Sequence, residues 1–384
     1  MNSRERFNAL MAFEGGVRNM KTEYGYWAGV LQNWFDSGLP KKIGLRKGIT
    51  DGDLVRMSAP IRSNGSELID KNVMDYFFLE PYPVKFPFDF SPMLKKEVIE
   101  ENDEFMIIKD EYGLVRKTFR KKASTPMTIS YPVKTLDDFK KYISLYEQNE
   151  DKRVPEDWDK IVKRMKDRDF PLRLGGNYFG FFGIGRHIMG DVGYMLASYD
   201  NPGLLKTIND FYLRYVKRHW SKILKEVEID WVMVWEDMAY KTGSFISKES
   251  FREYLSPYYV ELIDFLKQYG IKNIIVDSDG LVEELIPLWI ETGVTGIFPM
   301  ESVNDLYKIR KLFPELQMLG GIDKRILIKG SGREIDDELV KVTELLKSGG
   351  FIPHIDHSIP MDADWERFKE YRMKLNEIIE EGKY

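Results

Sequence analysis

The chain has no cysteine in its 384 residues. That excludes disulfides, a thiolate nucleophile and any zinc site built on sulfur, and it fits a reducing setting. Histidine is scarce, with 4 in all, so imidazole chemistry has few addresses. No apolar run approaches the roughly 18 residues that a membrane span needs. The stretch Met1-Asn2-Ser3-Arg4-Glu5-Arg6-Phe7 is charged and lacks the apolar centre of a signal peptide. Neither sign of charge dominates: 57 basic residues face 62 acidic ones, a net −5, with no basic stripe. Nucleic acid is therefore not an expected partner. These absences together predict a cytoplasmic protein that meets neither membrane nor nucleic acid.

What is present is a chain rich in core-forming side chains, 43% hydrophobic and 14% aromatic. That is enough for a large core and an aromatic-lined pocket. Asn2 and Glu5 have the spacing of a helix capping box, so a first helix is expected over 2–13. Lys21 to Trp27 reads as a strand running into Gly25, and Met74 to Leu79 as a second. Residues 40–72 are polar and without periodicity. Prolines at 81, 83, 87 and 92 interrupt any helix, and alternation on either side of Asp110-Glu111-Tyr112-Gly113 predicts a hairpin. Residues 81–132 are read as an antiparallel insertion with too small a core to stand alone.

From Pro171 onward a regular rhythm sets in. Strand-like runs at Leu172–Leu174, Trp231–Trp235, Ile274–Val276, Gly296–Phe298, Leu316–Leu319 and Phe351–Ile355 alternate with helical stretches. One helix starts at Asn201-Pro202, and another runs from Lys248 to Tyr269 with a bend at Pro257. The expectation is a single α/β domain over 1–384, a TIM (β/α)8 barrel carrying that insertion, with a doubly wound sheet as the alternative. The barrel is preferred because polar residues follow strand after strand: Glu23, Glu236-Asp237, Asp277-Ser278-Asp279, Glu301, Asp323-Lys324 and Asp356-His357. Only a closed barrel brings the carboxyl ends of so many strands to one mouth.

Asn273 to Gly280, NIIVDSDG, is the most informative stretch. An apolar run ends in Asp277 and Asp279, two apart and so on one face of an extended backbone. Like charges so placed repel unless a cation or a shared proton lies between them, which points to a metal or to acid–base chemistry. The competing reading has one aspartate capping the next helix and the other solvated. WVMVWED, 231–237, ends in adjacent acids that must face opposite ways, and Glu236 is expected to face the mouth. Lys241 follows closely enough to pair with either acid. FIPHIDHSIP, 351–360, holds His354, Asp356 and His357 at a strand end. With Asp277 and Asp279 it completes a set of two carboxylates and one imidazole, suited to Zn²⁺, Mn²⁺ or Fe²⁺. GGNYFGFFG, 175–183, is not a dinucleotide fingerprint. Its glycines let backbone and the rings of Tyr178 and Phe179 line a flat pocket, with Arg186 behind them as an anion ligand.

These segments resemble the uroporphyrinogen decarboxylase superfamily, which includes cobalamin-linked methyltransferases. The likeness runs from SRERFNALMAFEG through GGNYFGFFG, VWEDMAY, FREYLSPYY, IIVDSDG and LGGIDKR to DHSIPMD. It implies a TIM barrel with its pocket at the carboxyl ends of the strands. The methyltransferases of the superfamily bind zinc through a His-x-Cys pair and a further Cys, and the matching positions here are Asp277, Asp279 and His357, so the resemblance implies a metal site that either persists with these different ligands or is lost. The decarboxylase's arginine-rich motif has no counterpart around Glu23 to Trp27. No Asp-x-His-x-x-Gly cobalamin motif occurs, so a corrinoid would arrive on a separate protein.

The expected function is a metal-assisted methyltransferase acting on a small molecule. Asp277, Asp279 and His357 would hold the metal, with Asp277, Asp279 and Glu236 catalytic and Glu236 moving the proton. Glu23, Tyr24, Trp27, Tyr178, Phe179, Arg186, Lys241 and His354 would shape the pocket. The partners are a substrate and a corrinoid protein, and a homodimer is compatible. The alternatives are a metal-free decarboxylase of an acidic substrate and a non-catalytic binding barrel.

Overall fold

Runs of aliphatic residues buried on both faces build parallel sheet, and helices between them supply the cover. In the computed structural model, which describes residues 1–42, 51, 53–56, 71–81, 84–120, 125–149, 153, 156–176, 178–328 and 332–382, seven such strands form one sheet. Their spatial order is Phe351–Ile355, Gln317–Ile322, Gly296–Met300, Ile274–Asp277, Trp231–Trp235, Leu172–Gly175 and Val84–Lys85, each pair parallel. The chain from Asn19 to Trp27 bridges the two edges. Asn19 Nδ2 donates to the Phe351 carbonyl at 2.7 Å, and the Glu80 N–H donates to the Lys21 carbonyl at 2.6 Å. Ile359 exchanges bonds with Gly25 and Trp27 at 3.0 and 3.2 Å. The sheet thus curls into a TIM-like barrel.

Helix Ser3–Met11 plugs the amino-terminal end. Its capping box forms: the Glu5 N–H donates to Asn2 Oδ1 and the Asn2 N–H to Glu5 Oε2, both at 2.9 Å. The cap sets the helix so that Phe7 meets the interior ring of Trp231 at 6.0 Å, and Trp231 meets Phe298 at 6.2 Å. Each fully buried ring of this kind contributes about 1.5–3 kcal/mol. The helix thus fills the end of the barrel opposite the acid-bearing carboxyl ends of the strands.

The insertion is more than a hairpin. Glu97–Glu101, Phe105–Lys109, Val115–Phe119 and Met127–Ser130 form a four-stranded antiparallel meander. Its turn is held by Asp110, whose Oδ1 accepts from the N–H groups of Tyr112 and Leu114 at 3.0 and 2.9 Å. Buried Tyr112 and Leu114 anchor the sheet to the barrel.

Other expectations need correction. Residues 71–77 form a helix where a strand over 74–79 was expected, since Val73 and Phe77 are buried at helical spacing. The helix expected from 248 to 269 is two, Lys248–Tyr254 and Ser256–Lys267. Pro257 sits in the first turn of the second, where its missing N–H costs nothing. Asn201 precedes helix Pro202–Glu226 without a side-chain cap bond. Of the polar stretch 40–72, Leu54–Arg56 pairs antiparallel with Gly25–Trp27, while 43–50, 52 and 57–70 lie outside the described residues. Among the described residues no helix is long and apolar enough to cross a membrane.

Candidate active site at the barrel mouth

Alternation along Trp231–Trp235 decides which acid enters the mouth. Trp231, Met233 and Trp235 point inward, so Asp237 follows them, while Val232 and Val234 face the helices and Glu236 follows those. Asp237 completes the turn in a left-handed backbone, φ 45°. On the neighbouring strand Asp277 is the last residue, and Asp279 lies two further on. The Asp277 carbonyl accepts from the N–H groups of Glu236 and Asp237 at 2.8 and 3.3 Å, locking the two strand ends together. Carboxylate oxygens of Asp237, Asp277 and Asp279 consequently lie within 4.8 Å of one another.

Around this trio are His357, whose Nε2 is 3.5 Å from Asp279 Oδ2, and Arg186, whose Nη2 is 3.7 Å from Asp237 Oδ2. Lys324 Nζ stands 3.4 Å from Glu301 and 4.0 Å from Asp356. Glu301 Oε2 accepts from the Gly280 N–H at 2.7 Å, fixing the turn after Asp279. Burial, and then the Asp279 charge, push Asp237 up to about 7. Burial, and then Glu301, do the same to Asp279. Asp279 keeps 40% of its side chain exposed, so solvent softens its share. Burial also lowers His357, and Lys324 adds to this. The mouth therefore holds carboxyls that ionise near neutrality beside a neutral imidazole.

Glu236 does something else. It is fully buried beneath helix Phe181–Met189, accepting from the N–H groups of Phe181 and Gly183 at 3.0 and 2.6 Å and from the Tyr259 hydroxyl. Burial pushes it up to about 7 against the pull of those donors. Its expected place at the mouth is taken by Asp237, and Glu236 instead pins the helix that carries Arg186.

The uroporphyrinogen decarboxylase (URO-D) family model matches residues 116–375, more than half of the chain. The chain belongs to the uroporphyrinogen decarboxylase family. No curated protein matches it significantly. Among solved structures it is similar to a methyltransferase from Methanosarcina mazei, at 14% identity and a TM-score of 0.58, covering 98% of this chain and 99% of that one. This likeness supports the barrel.

In this member of the family, the expected pocket residues divide. Tyr24 stacks on Phe298 at 5.4 Å and on His357 at 5.0 Å, beside the acids. Tyr178, at φ 68°, lies 5.4 Å from Trp235 and 4.0 Å from His187. Arg186 crosses the face of Trp235 at 5.6 Å and donates to the Asp237 carbonyl. Trp27 is half-buried at the start of helix Ala28–Asp36.

Three others point elsewhere, and a fourth, His354, is buried beneath the pocket rings of Tyr24 and Phe298 at 6.3 and 6.0 Å. Glu23 is buried behind the barrel wall, accepting from the Ile355 N–H at 2.7 Å and the Tyr371 hydroxyl at 3.0 Å, with Arg372 at 3.3 Å. Phe179 packs outward on Phe90 and Trp220 at 5.2 and 4.8 Å, in the irregular turn that follows the strand. Lys241 lies on the exposed hairpin after Asp237, 5.8 Å from the Tyr240 ring and paired with neither acid. His354 is buried, its Nδ1 bonded to the Ile355 carbonyl at 2.7 Å, and burial lowers it to about 4. The trio also differs from the set expected from the resemblance, since Asp237 joins Asp277 and Asp279 while His357 touches only Asp279. Parity with Met233 and Trp235 is the signal that identifies Asp237. Glu301 and Lys324 were marked only as polar residues after strands, and Arg116 by no signal at all.

Proposed function

We propose that this barrel is a metal-assisted methyltransferase whose metal is held by Asp237, Asp277 and Asp279, with His357 alongside. The observation that carries the reading is the convergence of three carboxylates from two adjacent strand ends, two of them pushed to about 7. Oxygen donors with one imidazole and no sulfur suit Zn²⁺, Mn²⁺ or Fe²⁺. Once bound, such an ion supplies Lewis acidity toward the heteroatom that gives or takes the methyl group. Tyr24 and Trp235 would flank the substrate, and Arg186 would orient Asp237. His357, neutral and next to Asp279, would accept or return the proton of the heteroatom. The methyltransferase name of the similar structure supports this class of reaction, and a corrinoid protein would be the partner in transfer.

Elemental analysis of protein equilibrated with each metal tests the reading, together with methyl transfer from free methylcobalamin to small thiols. Stoichiometric metal that Asp277→Ala abolishes, with transfer lost in parallel, is expected. Protein without metal, or Asp277→Ala with unchanged content and activity, overturns it.

A second reading, a metal-free carboxy-lyase, draws on Arg186. Its guanidinium already offsets Asp237, so the cluster has a partial counter-charge without an ion. Carbon dioxide release from acidic substrates by metal-free protein separates the two.

A further inference from the structure

Arg153 is only 6% exposed, yet one edge of its guanidinium has nothing to bond. Nη1 donates to the backbone carbonyls of Asp89 and Ser91 at 3.1 and 2.5 Å. The guanidinium also lies over the rings of Tyr146 and Tyr215, at 5.3 and 5.4 Å. The Asp89 carboxylate is turned to the Ser91 N–H, from which it accepts at 2.8 Å. Nε and Nη2 are shielded from solvent and have no hydrogen-bond partner among the described residues. Those two nitrogens form one edge of the planar group, and its parallel N–H bonds match the two oxygens of a carboxylate. Buried donors are ordinarily satisfied, and charged ones cost most when they are not. The contacts that fix the opposite side of the group therefore hold this edge ready for an oxyanion.

Arg153 lines a cavity of about 330 Å³, at the small end of the range for ligand pockets. The cavity is bounded by helix Pro202–Glu226, the start of helix Trp158–Lys166 and the chain that leaves edge strand Val84–Lys85. Its apolar wall is Phe86, Phe88, Trp158 and Ile223. Phe86 and Trp158 meet edge to face at 5.9 Å, and Trp158 Nε1 donates to Glu226 at 3.2 Å. That bond engages Glu226, the acid of the lining. Lys222 and Lys225, both exposed, stand at the rim, so the charge around the opening favours an anion. None of the residues assigned to the mouth lines this cavity.

We propose that this cavity is a second binding site, separate from the mouth, and that it takes an amphipathic monocarboxylate. The carboxylate pairs with Nε and Nη2 of Arg153, and the hydrocarbon tail lies among Phe86, Phe88, Trp158 and Ile223. Such a tail covers the apolar wall, which a small inorganic anion leaves bare. The proposal is independent of the chemistry assigned to the mouth.

Titration calorimetry of the full chain with octanoate, 1-octanol and acetate tests it. Octanoate binds saturably and at least about tenfold more tightly than either, because octanol lacks the charge-assisted pair and acetate lacks the buried tail. In Arg153→Gln the preference for octanoate over octanol disappears while octanol binds as before, which shows the cavity intact. Lys222→Glu combined with Lys225→Glu is confined to exposed side chains. It weakens octanoate about threefold or more and leaves octanol unchanged, and it carries the comparison should the glutamine variant not fold. Octanoate that does not bind at millimolar concentration, or that binds no better than octanol or acetate, overturns the site. So does a preference that survives Arg153→Gln or, with that variant unfolded, an octanoate affinity indifferent to the two lysine changes.

Discussion

Glu236 and Asp237 are neighbours in the chain and serve opposite sides of the barrel wall. Glu236 accepts two backbone N–H groups at the start of helix Phe181–Met189, while the Asp237 carboxylate meets Asp277 and Asp279 inside the mouth. The first acid fixes the helix that carries Arg186, and Arg186 in turn bonds to the Asp237 carbonyl.

Glu236 makes stability depend on pH. Its folded pKa is raised from 4.5 to about 7 by burial. Its stabilising share is therefore complete below the ordinary carboxyl value and is lost as pH rises through about 7. Thermal or urea unfolding of wild type should weaken over that window. Glu236→Gln removes this slope and leaves the protein about 1–3 kcal/mol less sensitive to it. Parallel slopes for the two proteins would rule out Glu236 as the source.

Protons and a divalent cation compete for the trio. Asp237 and Asp279, both raised to about 7, hold protons below that pH. Cation affinity should rise from about pH 6 to about pH 8, by up to about tenfold per unit for each proton displaced, then level off. Calorimetric titration with Mn²⁺ or Zn²⁺ at several pH values measures this. Asp279→Asn should lower the affinity and flatten the profile, because it removes a donor and the charge facing Asp237.

Strand positions were legible because long aliphatic runs between helical stretches admit few alternatives. The barrel was legible because acids recur at the ends of those runs. Side-chain direction just past a strand was less so. Asp237 and Tyr178 adopt left-handed backbone, φ 45° and 68°, and alternation counted through such residues misplaces the next side chain. Phe179 was expected inside with Tyr178 because the glycines of 175–183 leave room for rings, yet the turn sends the two rings to different sides, Tyr178 to Trp235 and Phe179 to Trp220. Glu23 misled for a related reason: its segment is irregular, and its partners Ile355 and Arg372 lie more than three hundred residues away. Arg116 was invisible because its contacts, Tyr178 and His187, are 62 and 71 residues distant and no local pattern marks them.

Glu23 and Arg372 form a buried ion pair at 3.3 Å, both side chains at 0% exposure. Arg372→Met strands a carboxylate among apolar groups and should cost about 3–5 kcal/mol in unfolding free energy. Adding Glu23→Leu to it should recover much of the loss. Because neither group reaches the mouth, ligand and metal binding by the folded double variant should match wild type. Altered binding would return Glu23 to the pocket.

Helix Phe181–Met189 sits against Trp235 only because glycines leave room for it. A Cβ on Gly180 would lie 1.9 Å from the Trp235 carbonyl oxygen and 2.7 Å from Glu236 Oε2, and one on Gly183 would lie 2.2 Å from the same carbonyl. These obstacles are mostly backbone, so the helix itself must move. Gly183→Ala should cost about 1–3 kcal/mol or more and shift Arg186 away from Asp237. Gly193 is the control: it lies in helix Asp191–Asp200, and its added Cβ would meet Met189 at an ordinary 3.7 Å. Gly193→Ala should be neutral or stabilise by up to about 1 kcal/mol. Melting curves establish the stability difference. Metal titrations then show whether Gly183→Ala weakens the acidic cluster, as expected of a helix that carries Arg186 against the strand bearing Asp237.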